Sequence, residues 1–354
     1  MELKLLIINP GATSTKIAVY EDTTELFKAG IDHMAQDLAP FAHVVDQLDY
    51  RKDLILKTLA AANYELKDFS AVCGRGGLLR HIPSGTYRIN DRMLEDIKNP
   101  PYGEHASNLG AVLSKELADS VGIPSFIVDP VCVDEMSDIA HLSGFKGMNR
   151  ESFFHALNQK GMARRAAAQL GKKYEDLNMI VVHMGGGVSV AAHEKGRAID
   201  VYNVKDEGSF SMDRGGSLPV NAVINLCYSG KTKAEVKKIL GGEAGVYSYL
   251  HTKDFLSVEK NAFEQNDPES KMVFDALVYQ HCKDIGAMAA VLHFNVDAIV
   301  LTGGMANSKR LCHEIENYVG KIAPIIILPG EAEMESLAAG AYRVLCGEAA
   351  SEYQ

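Results

Sequence analysis

Short apolar runs alternate with longer amphipathic segments along most of the chain. The short runs are rich in Ile, Leu and Val, which is typical of buried strands, and the longer segments repeat apolar residues every three or four positions, as helices on a sheet do. The predicted strands are 3–9, 15–20, 69–73, 125–128, 179–183, 188–193, 297–301 and 324–328. The predicted helices are 44–59, 105–121, 151–170, 269–294, 308–319 and 333–345. This alternation predicts an α/β protein with helices layered on sheets.

The chain also contains an internal repeat. When it is shifted by 174 residues, the segment LLIINPGATSTKIAVYE lies over VVHMGGGVSVAAHEK, so that Gly11 falls on Gly185 and Ala18 on Ala192. Any two hairpins with a glycine turn share some likeness, and coincidence is the alternative interpretation. The offset is close to half of the 354 residues, a length that suits two domains. We therefore expect a duplicated α/β fold.

Composition narrows the function classes. The chain is 47% hydrophobic and 23% charged, which is typical of a globular protein, and its net charge of −10 argues against a nucleic-acid partner. Its apolar stretches are too short for a membrane helix, and the amino terminus lacks a signal-peptide core. Six cysteines without a CxxC pair indicate reduced thiols and a cytoplasmic location.

Three glycine-containing turns follow apolar strands, at 9–14, 185–187 and 303–308. Such turns let backbone N–H groups approach phosphate oxygens, although each is also compatible with a tight hairpin and no ligand. None matches GxxxxGK[ST] or a strand-to-helix GxGxxG, which argues against a Walker loop or a Rossmann site. The first turn adds the hydroxyls of Thr13 and Ser14 and the cation Lys16. Together the three turns favour nucleotide binding.

Two arginines lie between glycine-rich neighbours in separate halves of the chain. Arg75 occurs in CGRGG and Arg214 in MDRGGS. Small neighbours leave a guanidinium room to bind carboxylate or phosphate through two parallel hydrogen bonds, and a salt bridge to a nearby acid is the alternative. Two such arginines suggest a shared anion.

Acids and histidines complete the set of candidate groups. Asp129 ends a predicted strand, where α/β enzymes often place functional acids. The acidic run Glu331, Glu333 and Glu335 either supplies a Mg²⁺ ligand or is the solvated start of the last helix. Three histidines lie at element boundaries: His105, His155 and His183. These groups suit phosphoryl transfer, which depends on positioning and charge stabilisation, and no Ser-His-Asp or Cys-His arrangement is visible.

The sequence resembles the acetate kinase family over nearly its whole length. The motifs that carry the resemblance are INPGATSTK at 8–16, CGRGG at 73–77, VHMGGG at 182–187 and MDRGGS at 212–217. The family belongs to a superfamily with sugar kinases, actin and the heat-shock chaperone ATPases. The resemblance implies two related ribonuclease-H-like domains with the active site in the cleft between them. It places the first domain at 1–150, completed by the terminal helix at 332–354, and the second at 151–331.

The resemblance also implies residue roles, ATP/ADP and Mg²⁺ as cofactors, and a homodimer or higher oligomer without nucleic-acid or membrane partners. Arg75 and Arg214 are expected to bind the carboxylate and the transferring phosphoryl group, and His155 to stabilise the transition state. The catalytic residues implied are Arg75, Arg214, His155, Asp129 and His105. The nucleotide-binding residues implied are Asn9, Gly11, Thr13, Ser14, Lys16, His183, Gly185, Gly186, Gly187, Gly303 and Gly304. Glu335 and Asn9 are the implied metal residues, with Glu331 or Glu333 as alternatives to Glu335.

The sequence departs from the family pattern in three places, of which the last bears on the acyl substrate. Ala12 stands where the family usually has serine, and Gly186 where acetate kinases carry asparagine. Gly76 and Gly77 replace bulky apolar residues, which we interpret as widening the acyl pocket. The expected reaction is therefore ATP-dependent phosphorylation of a short-chain carboxylate, butyrate + ATP = butyryl phosphate + ADP. The alternatives are isobutyrate, propionate or acetate as acceptor and, more distantly, a sugar kinase or a hydrolytic or non-catalytic nucleotide switch.

Overall fold

A computed structural model describes residues 2–354, which form two compact units by their contacts. Unit 1 contains the residues up to 134 together with 156–158 and 332–354, and unit 2 contains 135–155 and 159–331. The sequence-based division at residue 150 differs from this one. Residues 135–150 go with unit 2 because Arg150 binds the Asp200 and Glu207 carboxylates at 2.9 and 2.8 Å, and Lys160 binds Glu135 at 2.6 Å.

Unit 1 is built on a seven-stranded sheet. Its strands are β1 Lys4–Pro10, β2 Ser14–Glu21, β3 Thr24–Asp32, β4 Ala71–Arg75, β5 Thr86–Arg88, β6 Ser125–Val128 and β12 Ser351–Glu352. The spatial order is β12-β5-β6-β4-β1-β2-β3. Strands β1, β2 and β3 form an antiparallel meander, whereas β4 runs parallel to β1 and β6 runs parallel to β4.

Helices cover both faces of this sheet. They are α1 Ala35–Leu38, α2 Leu48–Ala61, α3 Asp91–Lys98, α4 Leu109–Asp119 and α12 Glu333–Leu345, with short 3-10 turns at Val44–Gln47, Leu66–Asp68 and Ala106–Asn108. Because side chains alternate along a strand, Leu5 and Ile7 pack with α12 while Leu6 and Ile8 pack with α2 and α4. The apolar run Leu5–Ile8 of β1 is therefore buried on both faces of the sheet.

Unit 2 has a five-stranded sheet in the order β11-β10-β7-β8-β9. Its strands are β7 Asn178–Met184, β8 Val188–Glu194, β9 Arg197–Tyr202, β10 Ala298–Gly303 and β11 Ile325–Pro329. The remaining helices are α5 Ala156–Gln169, α6 Val220–Cys227, α7 Lys233–Gly242, α8 Gly245–Leu250, α9 Phe255–Phe263, α10 Pro268–Val291 and α11 Lys309–Val319, with 3-10 turns at Tyr174–Asp176 and Gly304–Asn307. Phe274, Leu277 and Ile285 of α10 lie at the centre of its core.

The two sheets share one topology. In unit 1 the strands β3-β2-β1-β4-β6 have the order and directions of β9-β8-β7-β10-β11 in unit 2. The 174-residue shift carries β1 onto β7 end to end. The prediction of a duplicated α/β fold is confirmed.

All eight predicted strands and all six predicted helices are present, and several further elements were missed. The missed strands are β3, β5, β9 and β12, and the missed helices are α1, α3, α6, α7, α8 and α9. Strand β3 is half-exposed along its length and so lacks the apolar run on which the predictions relied. Helix α5 begins at Ala156 instead of 151. Within residues 2–354, no helix is both long and apolar enough to cross a membrane.

Candidate functional site

The first glycine turn closes the β1–β2 hairpin in unit 1. The Gly11 N–H donates to the Ser14 carbonyl at 2.7 Å, which makes the turn tight. The strand register pairs Asn9 with Lys16, and directly paired residues of an antiparallel ladder point to the same side of the sheet. Thr13 and Lys16 are exposed. An asparagine, a lysine and two hydroxyls therefore surround one turn.

A buried arginine supports this turn from behind. Arg51 of α2 donates through Nη1 to the Gly11 carbonyl and to Thr15 Oγ1, both at 2.9 Å, and through Nη2 to the Ala12 carbonyl at 3.4 Å. Gln47 Oε1 accepts from its Nη2 at 2.8 Å. No carboxylate in residues 2–354 forms a salt bridge with Arg51, and burial lowers its pKa from the ordinary value. The guanidinium remains protonated and so places a positive charge beneath the turn.

Asn9 and Arg75 converge on a carboxylate from the last helix. The Asn9 Nδ2 donates to Glu333 Oε2 at 2.6 Å, and Arg75 Nη1 lies 3.0 Å from the same oxygen and 3.4 Å from Asn9 Oδ1. The carboxylate that meets them is Glu333, which is buried, whereas the expected Glu335 lies on the exposed side of α12. Successive helical positions are 100° apart, so two residues two positions apart face different ways.

The remaining unit 1 candidates have local partners. Asp129 adopts a left-handed backbone with φ of 38°, and its Oδ1 accepts from Ser84 Oγ at 2.6 Å and from the Gly85 N–H at 2.8 Å. It is buried and anchors the loop before β5. His105 is exposed, and its Nδ1 accepts from the Ser107 N–H at 3.2 Å. The catalytic roles of Asp129 and His105 stay predictions.

The interpretation of Gly76 and Gly77 as a widened acyl pocket is wrong for this backbone. A Cβ on Gly76 would lie 2.7 Å from Pro130 Cβ, and a Cβ on Gly77 would lie 2.0 Å from Asn108 Oδ1. The space that a side chain would need at either glycine is already occupied by atoms of the protein. These glycines permit close packing of the loop that follows β4, and their missing side chains leave no added space for an acyl chain.

In unit 2, two histidines stack on each other. The rings of His155 and His183 lie 3.8 Å apart at 15°, and His183 Nε2 is 3.9 Å from Glu331 Oε1. His155 precedes α5, and its Nδ1 is 2.8 Å from Ser189 Oγ. The strand register pairs Ser189 with His183, which explains why one imidazole can reach both.

The second glycine turn lies between this histidine pair and Arg214. The Gly185 N–H donates to the Gly187 carbonyl at 3.0 Å, and a Cβ on Gly185 would lie 3.3 Å from His183 Nε2. A Cβ on Gly187 would lie 2.9 Å from Arg214 Nη1, which donates to the Val204 carbonyl at 2.9 Å. Burial lowers the pKa of Arg214 from its ordinary value. Gly186 faces open space.

The third glycine turn lies beside the end of β7. Gly303 has φ of 89°, and a Cβ there would lie 2.3 Å from the Met184 carbonyl oxygen, so only glycine fits. Gly304 faces open space, and Ser308 caps α11 by accepting from the Leu311 N–H at 3.0 Å. In unit 2 the structure therefore brings together His155, His183, Gly185, Gly186, Gly187, Arg214, Gly303 and Gly304.

Among residues 2–354 no group of three or more His, Cys, Asp or Glu side chains is arranged to hold a metal ion. Mg²⁺ does not require such a group, because it is commonly bound through one or two carboxylates, water and substrate phosphates. The Glu333 carboxylate and the Asn9 side-chain oxygen are hard oxygen donors, and both lie within 3.4 Å of Arg75 Nη1. They suit Mg²⁺ by donor type.

Several residues of these sites were missed from the sequence. They are Arg51, Ser84, Gln159 and Ser189. Glu333, which the sequence offered only as an alternative to Glu335, is the carboxylate beside Arg75. Arg51 could have been recognised from the sequence, because it shares the apolar face of α2 with Ile55 and Leu59. A cation on a buried face needs hydrogen-bond acceptors around it inside the protein.

Two solved structures share the architecture of the whole chain. An acetate kinase from Porphyromonas gingivalis has a TM-score of 0.79 at 18% identity, covering 97% of this chain and 100% of its own. A propionate kinase from Francisella tularensis subsp. tularensis has a TM-score of 0.74 at 18% identity, covering 96% and 98%. Identities this low establish the fold alone. The fold class is that of the acetate and propionate kinases, with a duplicated ribonuclease-H-like domain.

Sequence comparison identifies the family, which the structural similarity alone does not. Residues 146–323 match the model of the acetokinase family. Butyrate kinase 1 from Clostridium acetobutylicum is 48% identical over 354 residues, covering 99% of both chains. The chain belongs to the acetokinase family.

Proposed function

We propose that this chain is a carboxylate kinase that transfers the γ-phosphoryl group of ATP reversibly to butyrate, forming butyryl phosphate and ADP. The observation that carries the proposal is the 48% identity over 99% of both chains to a butyrate kinase. The grouping of Asn9, Arg75 and Glu333 in unit 1, and of His155 and Arg214 beside glycine turns in unit 2, supplies chemistry suited to this reaction.

Arg75 is the proposed partner of the acceptor carboxylate. Glu333 and Asn9 contact only its Nη1, and within residues 2–354 no hydrogen bond occupies Nε or Nη2. These two atoms form the edge of the guanidinium that binds a carboxylate through parallel hydrogen bonds. The Glu333 contact also fixes the direction of that edge. Asp129, through the loop that it anchors, and His105 are proposed to line the same region.

The glycine turns are the proposed phosphate-binding elements. In unit 1, the turn at 11–14 offers the backbone N–H groups that follow Gly11 and the Thr13 and Ser14 hydroxyls, and β2 adds the Lys16 ammonium. The buried charge of Arg51 lies beneath this turn. In unit 2, the turn at 185–187 with His183 is assigned to the β-phosphate, and Gly303 and Gly304 to the adenosine side. Exposed N–H groups and cations stabilise polyphosphate charge without a Walker motif.

The transfer itself requires little covalent chemistry from the protein. A carboxylate oxygen attacks the γ-phosphorus, a new O–P bond forms, the bond to the bridging oxygen breaks, and ADP leaves with that electron pair. Because a short-chain carboxylate has a pKa near that of Glu, about 4.3, it is ionised at neutral pH and needs no general base. His155 and Arg214 are proposed to stabilise the charge on the equatorial oxygens as it develops.

Glu333 and Asn9 are the proposed metal-linked residues, with Glu333 replacing the expected Glu335. When bound, Mg²⁺ would neutralise phosphoryl oxygen charge as a Lewis acid. The protein's own contribution is to hold Glu333 in place through Asn9 and Arg75.

Hydroxylamine trapping tests the proposal. The chain is incubated with ATP, Mg²⁺ and hydroxylamine and with acetate, propionate, butyrate or isobutyrate in turn, and hydroxamate and ADP are measured. We expect hydroxamate, with kcat/KM about 15-fold higher for butyrate than for acetate, because two extra buried CH₂ groups contribute about 0.8 kcal/mol each. A preference for acetate, propionate or isobutyrate would overturn the choice of butyrate, and ADP without hydroxamate would favour a hydrolytic nucleotide switch.

Two arginine variants test whether the reaction takes place beside Arg75. Arg75→Ala should lower kcat/KM for the acid by about 10²–10³-fold, as expected for removal of one stabilising donor. Arg343→Ala is the control, because Arg343 lies on the surface of α12 and pairs with Glu348 at 3.0 Å. Near-normal turnover of Arg75→Ala would show that Arg75 does not bind the acceptor carboxylate.

We also propose a homo-oligomer and a cytoplasmic location, where ATP is supplied. The oligomer is supported by α6 and the residue that follows it, where Val220, Ile224 and Tyr228 are exposed apolar or aromatic side chains on one short segment. Light scattering of the purified chain would give the mass, and a mass of 38.5 kDa would contradict the oligomer.

A further inference from the structure

A continuous line of hydrogen bonds in unit 2 leads from a buried tyrosine to His155. Tyr174 OH is 2.6 Å from His193 Nδ1, and His193 Nε2 is 3.0 Å from Gln159 Oε1. Gln159 Nε2 donates to Ser189 Oγ at 2.9 Å, and Ser189 Oγ is 2.8 Å from His155 Nδ1. His193, Gln159 and Ser189 are almost completely buried. Water therefore does not compete for these bonds.

The orientation of the Gln159 amide is determined by its surroundings. Its Nε2 lies 3.0 Å from the Ser189 backbone carbonyl, which can only accept, so the amide nitrogen must face β8. The amide oxygen must then face His193. An amide oxygen can only accept, so His193 carries its proton on Nε2.

The His193 imidazole is neutral. Burial, and the nearby positive charges of Lys160 and Arg164, hold the pKa of His193 well below its ordinary value. A neutral imidazole has one N–H, and Gln159 receives it, so His193 Nδ1 accepts from the Tyr174 hydroxyl.

The number of donors around Ser189 Oγ determines where its hydroxyl proton points. Its oxygen has two acceptor positions, which are taken by the Gln159 Nε2 and by the His155 backbone N–H at 3.3 Å. The hydroxyl proton therefore points at the remaining neighbour, His155 Nδ1. His155 Nδ1 must accept, and the proton of a neutral His155 must lie on Nε2.

We infer that Gln159, Ser189 and His193 are positioning residues that hold His155 in the Nε2–H tautomer, so that its outer nitrogen is a hydrogen-bond donor toward a phosphoryl oxygen. The stacked His183 ring holds the plane of His155 at 3.8 Å while the hydroxyl of Ser189 holds its rotation. The functional part of this inference rests on the proposed kinase activity. The tautomer itself does not.

The tautomer can be read directly without substrate. In protein labelled with ¹⁵N-histidine, His155 resonances are assigned by their loss in His155→Gln, and protonated and unprotonated ring nitrogens are distinguished by long-range ¹⁵N–¹H correlations. We expect a bare Nδ1 and a protonated Nε2 at neutral pH. A protonated Nδ1 in neutral His155 would overturn the inference, whether or not the chain proves to be a kinase.

Three variants, at Gln159 and Ser189, test whether these hydrogen bonds set the His155 tautomer. Gln159→Met keeps the side-chain length but removes the donor to Ser189, so His155 should show a mixture of tautomers, and kcat should fall on the order of tenfold to a hundredfold, the cost of a misplaced group. The KM for ATP should change less than twofold. Ser189→Ala should produce the same mixture, and Ser189→Thr, which restores a hydroxyl, should recover the wild-type tautomer.

Gln169→Met is the matched control, because Gln169 is exposed at the end of the same helix α5. It should leave both the spectrum and kcat unchanged. If Gln159→Met or Ser189→Ala folds and leaves both the His155 tautomer and kcat at wild-type values, the positioning role of these residues is contradicted. If the tautomers shift as expected while no acid yields hydroxamate, the positioning role stands and the proposed function fails.

Discussion

The Asn9 side-chain amide donates to the Glu333 carboxylate at 2.6 Å, joining two residues that lie 324 positions apart in the chain. Helix α12 supplies the carboxylate, and it packs on the same sheet face as Leu5 and Ile7 of β1. The packing of the last helix against the first strand thus places an acid at the end of β1, next to Arg75.

The first prediction separates the two acids of the first turn of α12. Glu333→Gln should lower kcat on the order of a hundredfold and raise the Mg²⁺ concentration needed for half-maximal rate. Replacing a residue that binds a metal, or that orients one of its ligands, commonly causes losses of this size. Glu335→Gln is the matched control and should stay within twofold, since it carries the same helix-dipole interaction but is exposed. Mg²⁺ titration of both variants measures this. A larger loss in Glu335→Gln would reverse the assignment.

The second prediction concerns the buried cation under the first turn. Arg51→Met should cost about 3–5 kcal/mol of unfolding free energy, because carbonyls of the turn and the Gln47 oxygen lose a charged donor inside the protein. Arg51→Lys should recover part of this, since lysine keeps the charge and loses the forked geometry. Urea unfolding measures the stability.

The same Arg51 variants should weaken nucleotide binding. The affinity for ADP, measured by calorimetry, should decrease in the order wild type, Arg51→Lys, Arg51→Met. Lys57→Met, an exposed position on the same helix, is the control and should change neither quantity. Wild-type ADP affinity in a folded Arg51→Met would show that the charge under the turn has no role in binding.

The third prediction tests the packing of the loop after β4. Gly77→Ala should destabilise the chain by about 1–3 kcal/mol, because the new Cβ would lie 2.0 Å from Asn108 Oδ1. Gly30→Ala is the control, since a Cβ at Gly30 meets nothing within 4 Å. Urea midpoints give the stabilities, and the butyrate-to-acetate ratio of kcat/KM should be unchanged. A stable Gly77→Ala with a shift toward acetate would restore the pocket interpretation.

The fourth prediction is a pH dependence of stability. Burial lowers the pKa of His33 and of His281 to about 4, below the unfolded value near 6.5. The unfolded chain therefore binds more protons than the folded chain between these values. Stability should fall as the pH is lowered from about 6.5 to about 4, by up to about 1.4 kcal/mol per pH unit for each histidine.

Replacement of His281 isolates one of these contributions. His281 lies in α10, fully buried, and His281→Met should flatten the slope of stability between pH 6.5 and 5. His313→Gln, at an exposed position of α11, should leave the slope unchanged. An equal slope in His281→Met and wild type would show that His281 is not neutral in the fold.

Much of the fold was predictable from local patterns, and the reason is visible in particular elements. The predicted bounds of β6 and α12 coincide with the observed Ser125–Val128 and Glu333–Leu345. Both are strongly apolar on their packed faces, so burial and local propensity agree. Strands β3 and β9 at the sheet edges carry mixed polarity and were missed for that reason.

The candidate site was less predictable, because its decisive contacts join distant positions. Nothing local to Gly77 indicates that Asn108 fills the space beside it, and nothing local to Glu333 separates it from Glu335 as the partner of Arg75. Ser189 and Gln159 have no motif of their own. Their positions follow from the β7–β8 register and the start of α5, which only the folded chain defines.

The reverse reaction tests the central claim most directly. Butyryl phosphate, ADP and Mg²⁺ are mixed with the chain, and ATP is measured by luciferase alongside inorganic phosphate. A carboxylate kinase transfers the phosphoryl group to ADP, so ATP should form in a one-to-one ratio with the butyryl phosphate consumed, and Arg75→Ala should form it about 10²–10³-fold more slowly. Release of inorganic phosphate without ATP, or no consumption of butyryl phosphate, would contradict the assignment.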